Sequence, residues 1–319
     1  MSSRYLVTGG AGFIGSHLVD ALVQRNDQVR VLDNFCSGTR ENLAPWLSRI
    51  ELIEGDIRDE AAVARAMAGV DYVLHQAALR SVPKSLKDPA GYHDVNVGGT
   101  LTVLRAAQQA RVRRVVQASS SSIYGETDRL PEREEDAPAP ISPYAATKLA
   151  AEIYGQLFTR AYGVPTVSLR YFNVFGPRQS LENEYAVVIP RFITSLLHGQ
   201  PPPIHGDGRQ SRDFTFVDDV VAANVQACTA ERAPGEVFNI AGGQQHTVLA
   251  LAETLNTILG TTIPPQFGPL RPGDVKHTLA DIAKAQRLLG WRPSVTFEEG
   301  LRRTAAWYRQ GAGTHAAVG

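Results

Sequence analysis

Short apolar runs alternate with stretches of helical periodicity along the first half of the chain. Runs typical of buried strands cover Arg4–Thr8, Gln28–Leu32, Ile50–Glu54, Tyr72–His75, Arg114–Ala118 and Thr166–Arg170. Between them, apolar positions at helical spacing predict helices over Ile14–Gln24, Glu60–Ala68, Asn96–Ala110 and Tyr144–Tyr162. This alternation predicts an α/β fold, a doubly wound parallel sheet with helices on both faces.

A glycine-rich turn joins the first predicted strand to the first predicted helix. Its glycines, Gly9, Gly12 and Gly15, follow a G-x-x-G-x-x-G spacing. The first permits a tight turn, the second lets the backbone approach a phosphate, and the third lets the helix pack close to the strand. Asp33 ends the second strand, where a carboxylate accepts hydrogen bonds from an adenosine ribose and repels a 2′-phosphate. The pattern therefore predicts a Rossmann site for NAD rather than NADP.

The pattern of elements changes after about Asn173. Prolines at 201–203 and glycines at 206, 208 and 235 divide the chain into shorter pieces. We expect residues 1–172 to form the NAD-binding Rossmann domain, with parts of 213–245 returning to it. Residues 173–319 are expected to form mainly a smaller, interleaved C-terminal lobe that binds substrate. The acidic segment Glu132–Asp136 is expected to be a solvated loop, and the residues after about Gln310 a frayed tail.

Composition excludes several classes of partner. The 319 residues carry equal numbers of acidic and basic side chains, so no basic field favours nucleic acid or an anionic membrane. No apolar run reaches the ~18 residues of a membrane span, and the N-terminus lacks a signal-peptide pattern, so we expect a cytoplasmic protein. Cys36 and Cys228 match no metal spacing, and we expect free thiols and no bound metal.

Candidate catalytic groups lie at one strand end and on one helix. The strand Arg114–Ala118 runs into the cluster Ser119–Ser122, and ligands of doubly wound sheets bind beyond the carboxyl ends of strands. Tyr144 and Lys148 stand four residues apart on one face of a predicted helix. A nearby ammonium and a positive nicotinamide ring can lower the pKa of a phenol from about 10, which makes tyrosinate available as a base. Beside an NAD site, these groups indicate alcohol–ketone chemistry.

Ten motifs together suggest a family. They are Gly9–Gly15, Asp33-Asn34, Gly55-Asp56-Ile57, His75-Gln76-Ala77-Ala78, Asn96-Val97, Ser120–Gly125, Tyr144–Lys148, Tyr171-Phe172-Asn173, Ser211–Phe214 and Arg271–Asp274. On these motifs the chain resembles, over nearly its whole length, the extended short-chain dehydrogenase/reductase superfamily and, within it, the nucleotide-sugar 4-epimerases. The glycine loop and the Tyr/Lys pair identify only the superfamily, whereas Tyr171–Asn173, Arg212 and Arg271–Asp274 are more specific to UDP-sugar enzymes.

The resemblance implies roles for individual residues. Ser120, Tyr144 and Lys148 would be catalytic, with Tyr144 the base. NAD contacts would come from Gly9, Gly12, Phe13, Ile14, Gly15, Asp33, Asn34, Ser37, Gly38, Asp56, Ile57, Ala77, Ala78, Asn96, Ser119, Tyr144, Lys148 and Tyr171. Contacts to the UDP-sugar substrate would come from Ser81, Ser120, Ser122, Tyr144, Asn173, Val187, Val188, Arg212, Arg271, Asp274 and Thr278. A homodimer built on the helices Asn96–Ala110 and Tyr144–Tyr162 is also implied, with Leu101, Leu104, Ile153 and Leu157 as apolar contacts.

The reaction that the resemblance implies is inversion of C4 of a UDP-sugar through a transient 4-ketose. Dehydration is disfavoured because Ser120–Ser122 stand where the related 4,6-dehydratases carry Thr-Asp-Glu. Members restricted to glucose and galactose often carry a bulky aromatic where this chain has Thr278, which predicts that UDP-N-acetylhexosamines are accepted as well as UDP-hexoses.

Two alternatives stay open. UDP-glucuronate is the main one, because the glucuronate epimerases have a run similar to Gly176–Gln179. A catalytically idle NAD-binding sensor or scaffold is the second, and the intact Ser120, Tyr144 and Lys148 argue against it.

Overall fold

The computed structural model describes residues 2–127, 129–181, 188–269 and 275–315, with side chains in the last range only as far as Gly311. Its strands are β1 (Arg4–Thr8), β2 (Gln28–Asp33), β3 (Ile50–Glu54), β4 (Tyr72–His75), β5 (Arg114–Ser120), β6 (Thr166–Tyr171), β7 (Val174–Phe175), β8 (Pro203–His205), β9 (Ser211–Asp213), β10 (Thr215–Phe216), β11 (Val237–Ile240), β12 (Gln245–Thr247) and β13 (Gln266–Gly268). Its α-helices are α1 (Phe13–Gln24), α2 (Glu60–Met67), α3 (Val82–Lys87), α4 (Pro89–His93), α5 (Gly99–Ala110), α6 (Pro143–Tyr162), α7 (Val188–Leu197), α8 (Val217–Thr229), α9 (Val248–Leu259), α10 (Ala283–Leu289) and α11 (Phe297–His315). Short 3₁₀ helices cover Arg40–Trp46 and Ser121–Tyr124.

A seven-stranded parallel sheet with the order β11-β6-β5-β4-β1-β2-β3 lies at the centre of the fold. The six strands predicted from the apolar runs are all present, and β5 and β6 extend further, to Ser120 and Tyr171. The strand order reverses between β1 and β4, which is the point where doubly wound sheets bind their ligands. The predicted α/β fold, a doubly wound parallel sheet, is therefore confirmed.

Two apolar clusters cover the two faces of this sheet. One packs α1 and α8 against it through Leu18, Leu22 and Val220. The other packs α2, α5 and α6 against the opposite face through Val63, Leu104 and Phe158. Each of these six side chains is at most 4% exposed, so burial on both faces fixes how the strand ends present their polar groups.

The C-terminal part of the chain contains shorter elements around a separate core. β9 pairs with β12 and β8 pairs with β13, while α7, α9 and α11 pack together through Phe192, Leu255 and Leu301. β11 does not join this group, because it pairs in parallel with β6 at the edge of the central sheet. No helix in the described ranges is long and apolar enough to cross a membrane.

Three local expectations need correction. Glu132, expected in a solvated loop, is only 2% exposed because its backbone pairs with Leu279 and Asp281. The tail expected to fray after about Gln310 is helical as far as His315, where α11 ends, and residues 316–319 lie outside the described residues. The helix expected from Asn96 begins as a π-helical turn over Asp94–Gly98, and the α-helical part starts at Gly99.

Candidate active site

A cavity lies at the carboxyl ends of β1, β2, β3, β4, β5 and β6. It brings together sixteen of the residues predicted to bind NAD, including both ends of the predicted dinucleotide site: Gly9, Gly12, Phe13, Ile14, Gly15, Asp33, Asn34, Ser37, Asp56, Ile57, Ala77, Ala78, Ser119, Tyr144, Lys148 and Tyr171. Eight further lining residues are absent from the prediction: Leu32, Cys36, Gly55, Gln76, Leu79, Arg80, Val95 and Ala118. Residues from six parallel strand ends thus converge on one site.

The glycine turn has the form that a pyrophosphate needs. A Cβ on Gly9 would lie 2.7 Å from the backbone nitrogen of Ala77, and one on Gly15 would lie 2.1 Å from the carbonyl oxygen of Gly9. Gly12 caps α1 without any side-chain hydrogen bond, and the first turn holds no acidic residue. The N–H groups of this helix end and its dipole are therefore directed at the cavity with no internal carboxylate competing for them, which suits an anionic diphosphate.

Asp33 is held as an acceptor at the end of β2. Its two carboxylate oxygens accept hydrogen bonds from the backbone N–H groups of Ala11 and Phe35, each at 2.8 Å. Burial raises the pKa of Asp33, and these two hydrogen bonds act in the opposite direction. The remaining lone pairs of a carboxylate so placed fit a ribose diol and disfavour a second anion.

Asp56 also lines the end of the cavity where the adenosine of NAD is predicted to bind. It accepts from the Arg58 guanidinium at 2.9 and 2.8 Å, and from the Asn34 amide at 2.9 Å. The hydrogen bonds from Arg58, chiefly, lower the pKa of Asp56 to about 2. Asp56 therefore stays ionised and ties the loop after β2 to the loop after β3.

The predicted catalytic groups meet where β5 faces the start of α6. Ser142 caps α6 by accepting from the backbone N–H of Ala145, and Pro143 occupies its first turn, which places Tyr144 at the cavity. The Ser120 side chain lies close enough to Tyr144 to lower the pKa of its hydroxyl. One turn further along, the Lys148 ammonium donates to the carbonyl of Ala118 at 2.9 Å.

The electrostatics of Tyr144 differ in one respect from the prediction. Burial raises its pKa, and the opposing influences are the Ser120 hydrogen bond and the positive charge of Arg80. Lys148, expected to supply the stabilising cation, is instead directed at Ala118, and burial lowers its own pKa to about 8. The cation that lowers the pKa of Tyr144 is therefore Arg80, which is absent from the prediction. Arg80 lies in the loop after β4, and its influence on Tyr144 becomes visible only in the folded structure.

The predicted sugar-side residues form a separate group around Asp213. Asn173 donates to the Thr278 hydroxyl at 3.2 Å and to the carbonyl of Asp213 at 3.1 Å. The Thr278 hydroxyl also accepts from the backbone N–H of Asp213 at 3.1 Å, and the residue is 8% exposed. Thr278, expected on the wall facing the sugar, is thus engaged within the protein. The Arg212 guanidinium donates to the carbonyls of Ser211 and Lys276.

The other predicted residues lie around the cavity rather than on its described lining. Asn96 pairs through its amide with the backbone of Leu79 and with Thr147, so it supports the loop after β4. Ser81 caps α3, and the Ser122 hydroxyl is buried without a partner among the described residues. Gly38 packs on the backbone of Ala11, where a Cβ would lie 2.5 Å from the carbonyl carbon. Val188 begins α7, whereas Val187, Arg271 and Asp274 lie outside the described residues.

Comparisons with known proteins agree with this arrangement. The model of the NAD dependent epimerase/dehydratase family matches residues 5–241. A putative UDP-glucose 4-epimerase of Methanocaldococcus jannaschii is 38% identical over 306 residues, which cover 95% of this chain and 98% of the relative. The chain therefore belongs to the NAD-dependent epimerase/dehydratase family, and its cofactor is NAD.

Two solved structures show how closely the fold follows known UDP-sugar enzymes. The UDP-N-acetylglucosamine 4-epimerase of Methanobrevibacter ruminantium M1, in complex with UDP-N-acetylmuramic acid, has a TM-score of 0.93 at 40% identity, covering 98% of this chain and 100% of its own. The UDP-glucuronic acid 4-epimerase of Bacillus cereus, in complex with UDP-glucuronic acid and NAD, has a TM-score of 0.89 at 35% identity, covering 96% and 99%. Relatives acting on different UDP-sugars are thus almost equally similar to this chain.

Proposed function

We propose that the protein is a UDP-sugar 4-epimerase that inverts C4 through a transient 4-keto sugar. The observation that carries the proposal is that Tyr144 and Lys148 line the NAD cavity one helical turn apart, with the Ser120 side chain close enough to Tyr144 to lower its pKa. A phenol and a hydroxyl placed close together can both reach a single substrate oxygen. That arrangement serves oxidation of an alcohol and reduction of the ketone that results.

The proposed proton transfers involve this chain's own side chains. The Tyr144 oxygen takes the proton of the sugar 4-hydroxyl and later returns it, while the Ser120 hydroxyl donates to the same sugar oxygen as it becomes a carbonyl. Bound NAD supplies the reversible hydride exchange at C4. Because burial raises the pKa of Tyr144, its ionised form depends on nearby positive charge, which Arg80 provides.

For the sugar, we propose that UDP-N-acetylhexosamines and UDP-hexoses are both substrates. The support is the absence of a bulky aromatic at Thr278 and the likeness to an N-acetylglucosamine enzyme. Thr278 acts here through its hydroxyl, which holds Asn173 and Asp213. A tyrosine at this position would break both hydrogen bonds, so we expect Thr278→Tyr to impair every substrate rather than the N-acetyl sugars alone.

We also propose a homodimer formed through α6 of each subunit. Ile153 and Leu157 lie one turn apart on this helix and are 57% and 45% exposed, so they present an apolar surface to solvent. Leu104, expected to contribute, is fully buried in the core instead, and Leu101 is half-buried.

A UDP-sugar panel tests the proposed activity. Purified protein is incubated separately with UDP-N-acetylglucosamine, UDP-glucose and UDP-glucuronate, and the products are separated by chromatography. The Tyr144→Phe protein, purified in parallel, controls for a contaminating epimerase. We expect the C4 epimers of the first two. Turnover of UDP-glucuronate alone would establish the rival substrate, and no turnover of any sugar would favour an NAD-binding sensor.

A further inference from the structure

A buried ion pair lies directly behind the catalytic groups. Glu152, on α6, and Arg170, on β6, are 3% and 4% exposed. The Arg170 guanidinium donates to both carboxylate oxygens of Glu152, at 3.0 and 2.9 Å, in a bidentate arrangement. A third nitrogen of Arg170 donates to the Tyr124 hydroxyl at 2.7 Å. The pair is therefore fixed in geometry and withdrawn from water, where charge interactions are strongest.

Glu152 also binds the strand end that carries the catalytic contacts. The Ser119 hydroxyl donates to the same carboxylate oxygen that accepts from Arg170. Ser119 lies between Ala118, whose carbonyl accepts from the Lys148 ammonium, and Ser120, whose side chain lowers the pKa of Tyr144. One carboxylate thus holds the centre of a three-residue segment whose two ends contact the predicted catalytic lysine and tyrosine.

The charge of Glu152 acts on Lys148 as well. Burial lowers the pKa of Lys148 to about 8, and the negative charge of Glu152, four residues further along α6, acts in the opposite direction. On β4, burial and the charge of Lys148 lower the pKa of His75 to about 3, so His75 is neutral and adds no charge. Glu152 on α6 is therefore the charged group that acts on Lys148, and its ion-pair partner is Arg170 on β6.

We propose that Glu152, held by Arg170, is a positioning residue that fixes the Ala118–Ser120 strand end and keeps Lys148 charged for the catalytic step. The inference rests on the proposed function where it concerns the catalytic step. The effect of Glu152 on the titration of Lys148 does not depend on that function. Removing one partner of a buried ion pair destabilises a protein whatever the role of the pair, so the test must measure something that a loss of stability would leave unchanged.

Substitutions of Glu152 and Arg170 are predicted to move the titration midpoint of Lys148 in opposite directions. Glu152→Gln removes the negative charge near Lys148 and leaves that of Arg170, so the titration midpoint of Lys148 should fall. Arg170→Gln removes a positive charge and leaves Glu152, so the midpoint should rise. We expect displacements of about one pH unit in each direction, in the range found for a neighbouring charge. Loss of stability alone gives no such opposition of sign.

The midpoint can be measured directly by NMR on NAD-loaded protein with isotope-labelled lysine. The chain contains only five lysines, and Lys148→Arg identifies the Lys148 signal by its disappearance. Asp219→Asn is the matched control, because Asp219 is also a buried carboxylate and accepts hydrogen bonds from Ser294 in another part of the fold. It should lose stability and leave the Lys148 midpoint unchanged.

Opposite displacements of the midpoint in the two variants support the proposal. Unchanged midpoints, or displacements in the same direction, would overturn it. If Glu152→Gln does not fold, Arg170→Gln decides by the sign of its displacement. If neither folds, Ser119→Ala decides: a lowered kcat with KM unchanged supports the positioning of the strand end, and an unchanged kcat refutes it. In the active enzyme, the high-pH limb of kcat should move with the Lys148 midpoint.

Failure of the proposed function would give a different result. The NMR measurement needs NAD but no UDP-sugar. A protein with opposite midpoint displacements and no turnover of any UDP-sugar would refute the epimerase proposal and keep the role of Glu152. An active epimerase whose Lys148 midpoint is unchanged in both variants would support the epimerase proposal and refute the role of Glu152.

Discussion

At the scale of single residues, Tyr144 carries the proposed chemistry. It lines the NAD cavity, and the nearby Ser120 side chain lowers the pKa of its hydroxyl. Tyr144→Phe removes the base and leaves the ring, so we expect kcat to fall by about 10²–10⁴-fold with UDP affinity nearly unchanged. Steady-state kinetics and UDP titration measure the two quantities. Tyr162→Phe, on the same helix and 52% exposed, is the control. A Tyr144→Phe enzyme that keeps most of its kcat would mean that another group is the base.

Glu132 gives a prediction about stability and pH. It is buried next to Asp213, and its Oε2 has no hydrogen-bond partner among the described residues. Burial, and then the charge of Asp213, raise the pKa of Glu132 to about 8. Burial also raises the pKa of Asp213, but Asp213 accepts backbone N–H groups from Gly243 and Ala280, which favour its ionised form. Glu132 is therefore the member of the pair that carries a proton at neutral pH.

The sign of the pH effect follows from this raised pKa. The folded protein holds a proton on Glu132 that an unfolded chain loses above about pH 4.5, so the contribution is fully present below that pH and is lost as pH rises through about 8. We expect the free energy of unfolding, measured by urea denaturation from pH 5 to 8.5, to decline less in Glu132→Gln than in the wild type. Glu135→Gln, an exposed glutamate of the same loop, should keep the wild-type decline. Parallel profiles for wild type and Glu132→Gln would contradict the assignment.

At the scale of elements, the turn between β1 and α1 is the most demanding piece of local structure. A Cβ on Gly15 would lie 2.1 Å from the Gly9 carbonyl oxygen and 2.8 Å from the Gly10 Cα, and both are backbone atoms that cannot rotate away. Gly15→Ala should therefore displace the phosphate turn and weaken NAD binding about tenfold or more by calorimetry. Gly98→Ala is the matched control, because nothing lies within 4 Å of its added Cβ. Equal affinities in the two variants would mean that the turn does not hold the diphosphate.

The elements themselves were largely predictable, because strand runs and helical periodicity are local patterns. The glycine turn, Asp33 and the Tyr144–Lys148 spacing all lie within short stretches of sequence, and the cavity brings them together. Three features were not predictable because they depend on contacts between distant segments. Arg80, in the loop after β4, lowers the pKa of Tyr144. The Asn96 side-chain amide is hydrogen-bonded to Leu79 and Thr147. The backbone of Glu132 pairs with residues nearly 150 positions further along the chain. Periodicity carries no information about such pairings.

At the scale of the whole molecule, the exposed apolar residues of α6 give a prediction about the oligomeric state. If Ile153 and Leu157 form the centre of a dimer interface, glutamates at both positions would place like charges in an apolar contact. We expect the double variant Ile153→Glu/Leu157→Glu to be monomeric by light scattering at micromolar concentration, and the wild type to be a dimer. Phe267→Glu, at another exposed apolar residue (55%), should leave the dimer intact. A monomeric wild type would refute the proposed interface.

The central claim is epimerisation at C4 with the hydrogen of C4 retained. The most direct test is ¹H NMR of the reaction of UDP-N-acetylglucosamine and the NAD-loaded protein in D₂O. The account predicts the C4 epimer with protium at C4 and no net accumulation of NADH, because the hydrogen removed from C4 is returned to it. Deuterium at C4, or a product that has lost water, would contradict the account.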